Sequence, residues 1–258
     1  VGDTYFNAGN DTLTLSDDAG YTGDVYFGTG TGLMTLSDED TFVGDVDGAG
    51  QSVLVTLNDS AVYTGTVQNG AGVSVLVNGG TFGIGDSKTS TFDSLTVGSD
   101  GTLDVYIDGD DGTSSLYEVN SATFESGAKI STTISSLENA DGTYVVLTAD
   151  EINGTPDFDS ATTELPFIFA GETSLSGNDL LLEIRRKEAE ELGLTGTGTS
   201  AYDAILTASA TDDTLATSFL QIEDGATLQA QVDQFLPDHN GGIFDFATRG
   251  SRLAALHI

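Results

Sequence analysis

Gly2-Asp-Thr-Tyr-Phe6, Gly23-Asp-Val-Tyr-Phe27, Gly44-Asp-Val-Asp-Gly48 and Gly65-Thr-Val-Gln-Asn69 open four successive stretches whose glycines stand 21 residues apart. Self-similarity at a fixed period signals a chain built from stacked supersecondary units. Other columns keep the same register. Tyr21, Phe42, Tyr63 and Ile84 form one, Leu13, Met34, Val55 and Leu76 a second, and Val25, Val46 and Val67 a third. Leu15, Leu36 and Leu57 form a fourth, which Asn78 breaks.

Within each unit the apolar residues alternate, as in Leu13-Thr-Leu15 and Val53-Leu-Val55-Thr-Leu57. Period-two alternation marks strands with one buried face. Glycine is abundant (33 residues), proline scarce (3), and Thr, Ser, Asn and Asp are frequent, which describes short strands joined by many turns. A unit of two or three such strands cannot bury its own inward face, so successive units must stack and align equivalent side chains. The expected fold is all-β: a right-handed parallel β-helix whose inward ladders are the columns above. The Asp, Thr and Ser residues between them are expected to face solvent.

From about residue 93 the repeat loses register but strands continue. They are Ser94-Leu-Thr-Val97, Thr102-Leu-Asp-Val-Tyr-Ile107, Lys129-Ile130, Tyr144-Val-Val-Leu147, Phe167-Ile-Phe169 and Leu180-Leu-Leu-Glu-Ile184. These are more apolar than the upstream units and predict a β cap that closes the last open layer. The charge then shifts. Residues 1–184 hold 30 acids and 2 bases (30 − 2 = 28 net negative), whereas residues 185–258 hold 11 acids and 5 bases (11 − 5 = 6). Segments 200–209, 211–222 and 225–236 show helical spacing, with Leu228, Val232, Phe235 and Leu236 on one face, until Pro237 stops the last. The expected organisation is a repeat region at 1–92, a β cap at 93–184 and a helical linker at 185–258.

The formal charge of −34 restricts partners. A surface this negative repels phosphate backbones and anionic lipid heads, so nucleic acid is not an expected partner. Hydrophobic content of 38% separates the chain from disordered acidic tails. Cysteine is absent, so neither disulfides nor thiolate metal sites can form, and this fits transit through the periplasm in an unfolded state.

Three stretches resemble the C-terminal passenger region of bacterial type V autotransporters, particularly those of alphaproteobacteria. FDSLTVGSDGTLDVYIDG (92–109) is similar to the start of the autochaperone or junction region. LLLEIRRKEAEELGLTGTGTSAYDAIL (180–206) is similar to the last passenger strand followed by a basic step, a turn and a helix. QVDQFLPDHNGGIFDFATRGSR (231–252) resembles the segment that immediately precedes the outer-membrane barrel. The resemblance covers roughly residues 92–252. It implies a non-catalytic stalk and intramolecular chaperone, monomeric, at the cell surface or secreted. Its partners would be its own outer-membrane β-barrel, expected beyond this sequence, and the outer-membrane assembly machinery. Residues 93–184 would fold first and template the rest.

Other chemistries compete with this reading. Gly9-Asn-Asp-Thr-Leu13 is similar to part of a calcium β-roll turn, but a β-roll repeats every nine residues and the next unit, Gly30-Thr-Gly-Leu33, lacks the Asp. A calcium-binding β-roll or adhesin module is therefore the alternative function. A carbohydrate-active β-helix enzyme is the second alternative, with Asp17-Asp18 or Asp110-Asp111 as paired carboxylates, although the chain has no Trp for sugar stacking. The two histidines, His239 and His257, lie near no nucleophile-elbow sequence and form no zinc ligand set. Arg185-Arg186-Lys187, followed by Glu188, Glu190 and Glu191, reads either as a contact to a barrel mouth or lipid heads, or as a helix start with internal ion pairs. Asn240 beside Gly241-Gly242 reads as a processing point or an ordinary turn. No catalytic, cofactor-binding or metal-binding residue is assigned.

Overall fold

The structure, a computed structural model, describes residues 1–156 and 165–236. It is mostly β, with parallel and mixed sheets followed by three helices. Each of the first three sequence units forms a two-residue strand, a six- or seven-residue strand and a three-residue strand. These are β1 (Thr4–Tyr5), β2 (Gly9–Thr14) and β3 (Gly20–Thr22); then β4 (Val25–Tyr26), β5 (Gly30–Leu36) and β6 (Thr41–Val43); then β7 (Val46–Asp47), β8 (Ser52–Leu57) and β9 (Val62–Thr64). After β10 (Val67–Gln68) come four longer strands, β11 (Gly70–Gly83), β12 (Thr89–Asp108), β14 (Leu116–Phe124) and β16 (Gly142–Asn153), with the short β13 (Thr113–Ser114) and β15 (Lys129–Ile134) between them. The last strands are β17 (Phe169–Ser176) and β18 (Asp179–Arg186), and the helices are α1 (Thr197–Ser209), α2 (Asp213–Leu220) and α3 (Gly225–Phe235).

Equivalent strands of successive units pair in parallel. β1, β4, β7 and β10 form one four-stranded sheet, in which Thr4, Val25, Val46 and Val67 are consecutive partners. In the larger sheet β2, β5, β8, β11, β12, β14 and β16 lie side by side, all parallel. β3, β6 and β9 continue in the same way into the second half of β11. The run ends with two antiparallel steps, β16 to β18 and β18 to β17. Gly177-Asn178 joins that last pair as a two-residue loop, with Gly177 at φ 64° as such tight hairpins require.

The inward columns follow the sequence reading through the third unit and depart from it in the fourth. Val55 pairs with Val75 and Leu57 with Val77, 20 residues apart, and Tyr63 pairs with Phe82, 19 apart. By pairing, Val75 and Phe82 rather than Leu76 and Ile84 carry two columns on, and Val77 continues the one that Asn78 breaks in the sequence; Ile84 is buried beside them. Because side chains alternate, a one-residue shortening exchanges the faces of the strand that follows, until the second lost residue before Phe82 restores them. The β-branched set Val73, Val75 and Val77 thereby turns inward. Aromatic rings stack along the same direction: Tyr21 on Phe42 at 5.2 Å, Phe42 on Tyr63 at 4.9 Å and Tyr63 against Phe82 at 4.9 Å between centroids. The buried residues form one continuous cluster from Leu15 to Val232.

Downstream, Ser94–Val97 and Thr102–Ile107 belong to one long strand, β12, which runs unbroken past residues 92 and 93. Phe167 and Ile168 lie in a turn before β17. The three helices occupy the expected segments. Leu228 and Val232 are buried, but Phe235 is 42% exposed and meets Phe219 only at the edge of the helical layer. The segment holding His239, His257, Asn240 and Gly241-Gly242 lies outside the described residues.

The unit glycines explain why the repeat opens on this residue. Gly23, Gly44 and Gly65 have φ of 139°, 157° and 152°, and a Cβ on each would run into the carbonyl of the glycine one unit earlier. Each glycine thus leaves room for the preceding unit as well as for its own backbone. Gly44→Ala is expected to destabilise the protein by more than ~2 kcal/mol. Gly50→Ala, at φ 68° with nothing near its Cβ, should cost only the left-handed backbone strain of about 1–2 kcal/mol. Urea unfolding followed by far-UV circular dichroism compares the two, and equal costs would refute the stacking explanation.

Candidate functional site

The aspartate that follows each unit glycine is a structural acceptor rather than a solvated charge. The Asp24 N–H donates to Asp3 Oδ1 at 3.0 Å, the Asp45 N–H to Asp24 Oδ1 at 2.8 Å and the Thr66 N–H to Asp45 Oδ1 at 2.7 Å. A carboxylate in each unit therefore takes a backbone donor from the next. The ladder closes at Thr66, where the repeat has no Asp. One residue on, the Val67 N–H, at the end of the four-stranded sheet, donates to the buried Ser90 hydroxyl at 2.8 Å. Such a substitute acceptor is needed wherever a buried backbone donor loses its strand partner. Asp3, Asp17, Asp18, Asp38 and Asp59 are exposed, as expected of acids between the apolar columns, whereas Asp24 and Asp45 are half-buried and Asp40 is buried.

The turn acids behave similarly. Asp17 and Asp18, read as a possible carboxylate pair, both have φ of 61° in the turn between β2 and β3. The Asp17 N–H donates to Asp38 Oδ2 at 3.2 Å, and Asp38 passes the pattern on to Asp59 at 3.3 Å. Asp40 is fully buried; its two oxygens accept from the N–H groups of Ala19 and Ser37 at 2.7 and 2.9 Å. Gly9–Leu13 is strand rather than turn: it lies within β2, and Asp11 faces Gly32 of β5. Among the described residues no three His, Cys, Asp or Glu come together in an arrangement that would hold a metal ion. Asp110 and Asp111 occupy an exposed loop after β12.

A depression of about 700 Å³ lies elsewhere, between the β7–β8 turn and the starts of β11 and β12, lined by Asn69, Asp93 and Asn120 among others. Its carboxamides already donate to carboxylates, Asn120 to Asp93 at 2.7 Å and Asn69 to Asp47 at 2.9 Å. Its one aromatic, Phe92, is buried. Tyr5, an exposed aromatic, stacks on Tyr26 at 4.6 Å at the opposite end of the β1–β10 sheet. The stacking surface that sugar recognition favours is therefore separate from the depression.

The basic cluster divides into three contacts. Arg185 holds Glu191 with two 2.8 Å hydrogen bonds, and the Glu188 N–H adds a third to Glu191. Arg186 pairs with Asp141 at 3.1 Å and also donates to the Leu137 carbonyl, tying β18 to the loop before β16. Lys187 Nζ donates to the Phe167 carbonyl at 2.8 Å and sits 5.0 Å from the Phe167 ring centre. The cluster does not start a helix, because α1 begins only at Thr197; it closes the turn that leads from the last strand to the helices. Charge composition announced the Arg185–Glu191 pair, whereas nothing in the sequence pointed to Asp141 or Phe167. No known family model, no curated protein and no solved structure matches this chain.

Two outcomes are expected. Asp45→Ala leaves the buried Thr66 N–H without its acceptor and should cost about 1–3 kcal/mol, whereas Asp110→Ala should stay within about 0.5 kcal/mol in the same urea titration. The hydrogen bonds from Arg185 and the Glu188 N–H lower the Glu191 pKa from 4.5 to about 2. The folded value lies below the unfolded one, so this stabilisation is complete above about pH 4.5 and fades as pH falls towards 2. The stability gap between the parent protein and Glu191→Gln should follow that window in acid titrations, and a gap independent of pH would contradict it.

Proposed function

We propose that this chain is a non-catalytic stalk and intramolecular chaperone within a secreted autotransporter passenger, folded as a right-handed parallel β-helix. The observation that carries the reading is the unbroken parallel pairing from β2 to β16, closed by the antiparallel strands β18 and β17. Parallel units stacked in one register have an open edge at each end, and an antiparallel closure is a physical means of ending such a stack. The sequence resemblance over residues 92–252 supports the same assignment. The fold would be nucleated by residues 93–184, whose strands are the longer and more apolar ones. Ordering this end first gives each later unit a preformed edge, which lowers the entropic cost of adding it. In this reading the chain acts as a monomer at the cell surface or after release, and its partners are its own outer-membrane barrel and the assembly machinery.

Unfolding in guanidinium, once with EDTA and once with millimolar calcium, tests the proposal. The β signal is expected to persist in EDTA, with amides of residues 93–184 exchanging hydrogen more slowly than those of residues 1–92. Loss of the β signal in EDTA and its return with calcium would replace the stalk by a calcium module. Slowest exchange in residues 1–92 would remove the nucleating role from the cap.

A further inference from the structure

A cavity of about 620 Å³ lies where β15 and the start of β17 meet the turn between α2 and α3. That volume falls in the range of small-molecule sites. Ile134, Phe167, Leu220 and Ile222 give it an apolar lining, and Lys187 and Thr132 bring an ammonium and a hydroxyl to it. In a chain with seven Lys and Arg against 41 acids, a cation in this position is unexpected.

Lys187 is fixed at both ends. Its backbone N–H donates to the Ile168 carbonyl at 2.9 Å and its Nζ to the Phe167 carbonyl at 2.8 Å. An ammonium has three donors, and a carbonyl satisfies only one of them. Among the described residues no carboxylate lies within ion-pair distance of Nζ, and Glu191 is committed to Arg185. Burial pushes the Lys187 amine below its ordinary pKa, the expected effect of a poorly solvated cation. Glu223 also lines the cavity, but its side chain belongs to an exposed residue.

Thr132 supplies an independent observation. It is 2% exposed, and its hydroxyl has no hydrogen-bond partner. Buried hydroxyls without partners are rare. One staggered step about its side-chain torsion moves the hydroxyl to the position of the methyl group, so a residue that lines the cavity can turn its oxygen towards a ligand.

We propose that this cavity binds an aliphatic carboxylate, its head between the Lys187 ammonium and the Thr132 hydroxyl and its hydrocarbon body against Ile134, Phe167 and Ile222. One cation matches one negative charge, and among the described lining residues a doubly charged phosphate would find no second cation. The site does not depend on the stalk reading.

Octanoate, with octan-1-ol as the uncharged control, is the probe for titration of the isotopically labelled protein by NMR. Saturable shifts are expected at the amides of Thr132, Ile134 and Phe169, with octanoate binding at least about tenfold more tightly than octan-1-ol. Lys187→Met should remove most of that difference, and Thr132→Val should weaken octanoate by a smaller factor. Absence of saturable shifts, shifts centred elsewhere, or equal binding of acid and alcohol would each overturn the proposal. The first two readouts need only the parent protein, so they decide the matter even where a variant fails to fold.

Discussion

Inward side chains of the middle units are flanked on both sides by their counterparts in neighbouring units, which makes the unit-to-unit register the constraint on which the rest depends. Parallel backbone hydrogen bonds set the direction, and the side chains lock the phase. Aromatic stacking, the glycine at each unit start and the Asp-to-N–H ladder all require equivalent residues to sit directly over one another. A slip of one residue would bring polar side chains inside and, at the same time, part each carboxylate from its donor. These terms fail together, so the register is specified redundantly.

The same ladder resolves the apparent conflict between a charge of −34 and a parallel stack that brings like residues within strand spacing. Stacked carboxylates repel, and the chain has few cations to intersperse. Backbone N–H groups take the cation's place: Asp3, Asp24 and Asp45 accept from the following unit, and the buried Asp40 accepts two donors. Hydrogen bonds to charged acceptors are stronger than neutral ones and satisfy donors that strand pairing leaves over. Acidity in this part of the molecule is therefore built into the architecture.

The cations are concentrated where the stack ends. Arg185, Arg186 and Lys187 emerge from the last strand and fix, respectively, the turn that follows, the loop before β16 and the segment entering β17. The β layers and the helices are thereby joined at one short segment, beside the cavity that Lys187 lines. The buried Tyr63 and Tyr117 hydroxyls reach the Thr66 and Asp104 carbonyls, at 3.1 and 2.7 Å, so the large aromatic residues also bridge turns and strands.

The repeat at 21 residues, the alternation that made strands of it and the helical spacing from residue 200 onward were legible in the sequence, because each is a local periodicity imposed by backbone geometry. The columns through Val25, Val46 and Val67 and through Leu15, Leu36 and Leu57 could be read directly. Where the fourth unit shortened, extrapolating a constant period chose Leu76 and Ile84, while pairing with β8 and β9 selected Val75 and Phe82. The roles of the acids were similarly hidden: Asp24, Asp40 and Asp110 look alike in composition, and only the position of a donor in another unit separates them. Sequence alone thus determined the period and the buried face. Tertiary structure decided the phase of the later strands, the partner of each charge and the place of Lys187 beside an apolar cavity, since these depend on residues that meet only after the units have stacked.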